Sequence, residues 1–174
     1  AEGIEGRKSL RNAPTLTNVA YNDRFFMDGG VPSLELQVLA PIHDKNEMDF
    51  AILEVLERLN EDVHLTKLAM SAYGRDLDPF VLTRAIASYE RTFISGNSRY
   101  DQYHFQNDSG ALSSEEVRGM DLFFSEETNC GSCHTGFNFT DKLYHNIGLY
   151  EVYEYPGSER ISYDKAYVGK FKVP

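Results

Sequence analysis

The residues with the plainest chemical meaning are Cys130, Cys133 and His134, in the run Asn129-Cys-Gly-Ser-Cys-His-Thr-Gly136. They include both cysteines of the chain. Two thiols about one helical turn apart can each add to one vinyl group of a porphyrin, and the next residue then falls under the ring. A histidine there offers its imidazole to the iron, for which neutral imidazole is a good ligand. Cys-x-x-Cys-His is the attachment pattern of a c-type haem. Three other readings remain. A thioredoxin-like redox pair would follow a strand in a βαβ unit, and no strand pattern precedes Cys130. A structural zinc site needs four ligands; Cys130, Cys133, His134 and His145 can be counted, but adjacent Cys-His suits a tetrahedron poorly. A plain disulfide between the two cysteines is the third.

The elements that must hold this motif read as helices and loops. Ser113-x-x-Glu116 is a capping box, with Leu112 and Val117 as its hydrophobic staple. The helix it opens turns Val117, Met120 and Phe124 inward and delivers the chain to Cys130. Upstream, Ser, Gly, Asn and Asp crowd residues 95–111, which read as a boundary between two domains. From Glu47 the chain turns helical, with Ile52, Val55, Leu56 and Leu59 on one face. Asn60-Glu61-Asp62 breaks that helix, and a shorter one over Val63–Tyr73 stops at Gly74. Asp78-Pro79 caps a third, whose stripe is Leu82, Ile86, Tyr89 and Phe93. Residues 1–46 are irregular, and long irregular segments are often functional. After His145 the helical period is lost; Tyr150–Tyr155 alternates weakly and suits a short strand or an extended wrap. The expected fold is all-α, with long irregular loops, divided into 1–107 and 108–174.

At 174 residues the chain is long enough to bury roughly 70% of its unfolded surface. A formal charge of −10 argues against nucleic acid as a partner. It would steer a basic redox partner, though a solvated acidic surface is the commoner meaning of such a balance. No apolar run approaches the ~20 residues of a membrane span.

Taken in order, the chain resembles the bacterial dihaem cytochrome c peroxidase/MauG family over almost its whole length. The resemblance rests on Arg11-Asn-Ala-Pro-Thr-Leu16, Phe25-Phe-Met-Asp-Gly29, Ser33-Leu-Glu-Leu-Gln37, Asn46-Glu-Met48 and Ala85-Ile-Ala-Ser-Tyr-Glu-Arg-Thr92. It continues through Gly119–Phe124 into the cysteine motif, then Phe139-Thr-Asp141, Tyr144-His-Asn-Ile-Gly148 and Gly169-Lys-Phe-Lys-Val-Pro174. The resemblance implies cytochrome c-like haem domains and reduction of hydrogen peroxide to water in the periplasm, with a small cytochrome c or cupredoxin as electron donor. Cys130, Cys133 and His134 would hold the electron-entry haem, and the longer parent would carry a second, peroxide-binding haem. Gln37 and Glu47 would serve peroxide, Glu47 as general acid–base and Gln37 as hydrogen-bond partner. Read from sequence alone, Glu47 is a charge at a helix start and Gln37 a polar loop residue. Asn12 falls where relatives place a calcium ligand, with carbonyls near Lys172–Pro174 completing the oxygen shell; a turn-stabilising side chain is the equal alternative. Homodimers are a further family expectation.

The sequence also departs from the family. The first haem motif, expected before Arg11, and the segment carrying the far-side axial ligand of the electron-entry haem are not in it, so a piece of a longer parent is expected. Met27, Met48, Met70 and Met120 do not match that ligand's position and suit core packing. Met27 stands where many relatives have a tryptophan relay, and the chain has no tryptophan. A single-haem electron-transfer domain, with Gln37 and Glu47 idle, is the alternative reading.

Overall fold

The computed structural model describes residues 2–9, 11–153, 157 and 163–173. The described residues are mostly helical, with one short two-stranded ladder. They form two compact units, Ala1–Phe26 with Val31–Phe93, and Met27–Gly30 with Ile94–Pro174.

Among the described residues of the first unit five α-helices follow one another: α1 Leu34–Gln37, α2 Leu39–His43, α3 Ile52–Asn60, α4 Val63–Tyr73 and α5 Pro79–Glu90. Local chemistry sets most of their ends. Asp62 caps α4 by accepting the His64 and Leu65 N–H groups, and Gly74, at φ +66°, closes it in the left-handed conformation that glycine tolerates best. Asp78 accepts the Val81 N–H at 2.9 Å ahead of Pro79. That bond, helped by Arg75, holds the Asp78 carboxyl below its usual range despite the opposing effect of burial. The α3 face is as expected, with Leu56 buried and Ile52, Val55 and Leu59 half-buried. Its start is not: α3 begins at Ile52, and Glu47 lies in the turn after α2.

The inward face of α5 also differs from expectation. Val81, Thr83 and Ala87 are buried, whereas Tyr89 is 65% exposed. The cause is the close approach of α1. Leu34 (1% exposed) packs with Ala87 (0% exposed), Val19 and Phe25 in the core of this unit. A small residue lets two helix backbones come together, so counting only bulky apolar side chains picks the wrong face. Thr83 keeps its hydroxyl satisfied by donating to the Pro79 carbonyl at 2.8 Å.

The second unit holds α6 Arg99–Gln106, α7 Ser114–Phe123, β1 Tyr144–His145 and β2 Phe171–Lys172. Both helices open on a capping box, Ser98 with Asp101 and Ser113 with Glu116. The segment read as a boundary thus contains a helix. Arg99 joins the two, donating from Nε to the Ala111 carbonyl and from Nη1 to Glu116 at 2.6 Å. The two strands pair antiparallel, Tyr144 with Lys172 and His145 with Phe171. Lys172 N–H reaches the Met27 carbonyl at 2.7 Å, and Val173 N–H the Leu143 carbonyl. Gly29, at φ +74°, leaves room for the Tyr144 hydroxyl where a Cβ would clash. Tyr150–Tyr153 form no strand; Tyr155, the end of that expected element, lies outside the described residues.

Candidate haem-attachment site

The cysteine motif folds as a 3₁₀ turn over Cys130–Ser132, entered through Asn129 in a left-handed conformation. Cys133 N–H and His134 N–H both donate to the Cys130 carbonyl, at 3.3 and 3.0 Å, which wraps the loop so that the two thiols belong to one turn. Both cysteines are free and half-buried. Gly131 is required by packing: a Cβ there would stand 2.7 Å from Cδ1 of Phe124, at the end of α7. The helix is tied to the motif by Thr128, whose hydroxyl donates to the Leu122 carbonyl at 2.6 Å, and by the Asn129 N–H on the Ser125 carbonyl.

His134 is half-buried, and its Nδ1 lies 3.0 Å from the Phe139 carbonyl. A carbonyl only accepts, so Nδ1 carries a proton, and in the neutral imidazole Nε2 is then the atom with the lone pair. Beyond it, Asp141 N–H donates to the Cys133 carbonyl at 2.9 Å, closing the loop of residues 133–141. The Asp141 carboxylate accepts from Leu143 N–H at 2.8 Å and from His145 Nε2 at 2.6 Å. Burial opposes its charge, but these donors outweigh it and hold the Asp141 carboxyl below its usual range. Thr140 then donates its hydroxyl to the Val173 carbonyl at 2.8 Å, pinning the loop to the end of β2.

This donor set suits a c-type haem. Two free thiols sit on one turn, and the adjacent imidazole turns Nδ1 to a carbonyl, which leaves Nε2 as the nitrogen to offer an iron. A zinc reading fares less well. The four residues that the sequence offered do not gather; Cys133, Asp141 and His145 do, with donor atoms within 4.8 Å of one another. That group is one ligand short of a structural zinc site, and two of its members are already hydrogen-bonded to each other.

The residues assigned to peroxide lie in the first unit. Gln37 ends α1, half-buried, and no side-chain hydrogen bond holds it among the described residues. Glu47 is half-buried and held on three sides: Oε1 accepts from the Ser9 hydroxyl at 3.0 Å, the carbonyl from Ile4 N–H at 2.7 Å, and its own N–H donates to Asp44. No side-chain hydrogen bond joins Gln37 to Glu47. Asn12 is exposed in the first unit, Lys172 and Val173 belong to the second, and Pro174 lies outside the described residues.

Several contributors were missed from sequence. Phe139 acts through a backbone carbonyl, which no side-chain pattern reveals. Ser9 is distant in sequence from Glu47. His145 was counted in the sequence only as a possible zinc ligand, and its pairing with Asp141, four residues before it and ahead of β1, was not read.

Comparison with known proteins places these features. Residues 1–109 match the family model for the di-haem cytochrome c peroxidases. The chain is 32% identical over 147 residues to the methylamine utilization protein MauG of Methylophilus methylotrophus, covering 83% of this chain and 44% of that protein. It is 33% identical over 158 residues to the cytochrome-c peroxidase IdrP1 of Pseudomonas sp. (strain SCT), covering 86% of this chain and 40% of that protein. Among solved structures, a MauG-like protein associated with microbial copper homeostasis superposes with a TM-score of 0.85 at 25% identity, over 100% of this chain and 57% of that one. The chain therefore spans less than half the length of these curated relatives.

Proposed function

This chain belongs to the di-haem cytochrome c peroxidase family, and from that premise we propose that it is part of an enzyme reducing hydrogen peroxide to two waters with two electrons and two protons. The observation that carries the reading is the proximal loop: two free thiols on one turn, beside an imidazole whose Nδ1 is occupied by the Phe139 carbonyl. Cys130 and Cys133 would hold haem c by thioether bonds, and His134 Nε2 would be its proximal donor. When bound, that haem supplies a one-electron carrier through which electrons enter. The apolar side chains of Leu143, Ile147 and Leu149, more than half exposed in the same unit, suit contact with a porphyrin. On this reading both units are cytochrome c-like, and a second haem serves peroxide in the whole protein.

Glu47 moves the proton. Its Oε2 takes a proton from one peroxide oxygen and returns it to the leaving oxygen, while Ser9 holds Oε1 and fixes the carboxylate plane. Gln37 donates a hydrogen bond to peroxide from its free amide. The donor is a small cytochrome c or a cupredoxin, drawn to an acidic chain. Periplasmic location, a calcium ion bound through Asn12, and homodimers belong to the same reading. Among the described residues no helix is long and apolar enough to cross a membrane. Peroxide turnover by the full-length parent, compared with its Glu47→Gln variant, tests the assignment: a severe loss is expected, and unchanged turnover rules the role out.

A further inference from the structure

Phe139 stands out in the proximal loop because its backbone conformation does not suit its side chain. Its φ is +53°, in the left-handed region that a bulky residue seldom adopts. The loop meets a similar demand at Gly136, φ +69°, with a glycine. A bulky residue persists in such a conformation only where its surroundings over-determine it. Here the surroundings are rings. Tyr100 of α6 packs on Phe139 with centroids 4.9 Å apart, and Phe123 and Phe124 at the end of α7 stand at 6.2 Å each. These are the separations at which aromatic pairs attract. Tyr100 is itself braced by His104, stacked at 5.2 Å.

We propose that Phe139 is a positioning residue for the proximal histidine: rings from α6 and α7 clamp its side chain, and the clamp holds its backbone so that its carbonyl meets His134 Nδ1. The inference rests on the haem reading of His134, but its structural half stands without it. The sequence spends a bulky residue where glycine would adopt the backbone more easily, since a glycine would leave the carbonyl free to swing. Through this carbonyl the clamp fixes the proton on Nδ1 and the lone pair on Nε2. A hydrogen bond from Nδ1–H makes the imidazole a stronger donor and favours the more oxidised partner of a metal couple.

Phe139→Gly removes the ring without straining the backbone, because glycine accepts the left-handed φ; since glycine also frees the backbone, Tyr100→Leu, which keeps Phe139, is read beside it. Two readouts apply: the His134 tautomer by nitrogen NMR of the labelled chain, and the midpoint potential of the haem-loaded chain. The expected result is a loss of the Nδ1–H preference and a rise in potential equivalent to about a tenfold loss in relative stability of the oxidised form, ~59 mV for one electron. Phe139→Tyr should restore both. Wild-type tautomer and potential in Phe139→Gly, or a Phe139→Tyr variant no better than Phe139→Gly, would overturn the proposal. If Phe139→Gly fails to fold, Tyr100→Leu decides, since it loosens the clamp from another helix: the same shifts support it, and wild-type values overturn it. A chain that carries no covalent haem defeats the haem reading alone, and the tautomer still reports on the clamp.

Discussion

The residues proposed to serve peroxide in the first unit and the loop around His134 in the second are held to different degrees. Around His134 nearly every group is tied: the thiol turn by two N–H groups on one carbonyl, the imidazole by Phe139, the loop closure by Asp141, and its far end by Val173. Gln37 and Glu47 share no hydrogen bond; Glu47 is held through Ser9, Ile4 and Asp44, whereas the Gln37 side chain has no hydrogen bond among the described residues. Geometry held by a loop's own hydrogen bonds is fixed before a ligand arrives. The loop around His134 is prearranged by the chain itself, and so is Glu47, whereas the Gln37 side chain is fixed by no hydrogen bond among the described residues.

The sharpest way to break the contrast is to remove both thiols. Replacing Cys130 and Cys133 together with alanine is expected to abolish covalent haem on this chain, read as the mass of the denatured polypeptide. Next in size, Glu47→Gln in the full-length parent is expected to lower peroxide turnover by roughly 10²–10⁴-fold, with the haem on Cys130 and Cys133 undisturbed. Ser9→Ala probes the same carboxylate more gently. One neutral-to-charged hydrogen bond is worth about 1.5–3 kcal/mol at most, and part of Glu47's hold comes from its backbone, so a turnover loss of roughly tenfold or less is expected. The smallest effect is on pH. Asp141 has a depressed carboxyl pKa in the folded chain, so its contribution to loop stability is full above its ordinary value of 3.8 and is lost as pH falls through the lower folded value. Asp141→Asn is expected to flatten that part of an acid-unfolding curve followed by circular dichroism.

Much of this was legible in the sequence, and the reasons follow the physics. Caps are local, so Asp78-Pro79, Gly74 and the Ser113–Glu116 box could be read directly and appear where expected. The Cys-x-x-Cys-His motif stood out in the sequence because the chemistry proposed for it fixes both residue type and spacing. Helix α6 was hidden because its box uses Asp101 in place of Glu or Gln and its surroundings are polar. The inward face of α5 was hidden because Ala87 is selected by proximity to Leu34, a tertiary fact. Gln37 and Glu47 carried no local signal, and only resemblance singled them out. The Phe139 carbonyl was out of reach for a different reason: every residue has one, and only the folded loop shows which is used.

The most direct measurement is the intact mass of the chain under denaturing conditions, after maturation where thioether bonds can form, taken with a reduced-minus-oxidised visible spectrum. One porphyrin that survives denaturation, mapped by peptide mass to Cys130 and Cys133 and showing a c-type spectrum, is the expected result. A colourless polypeptide of unmodified mass would contradict the account.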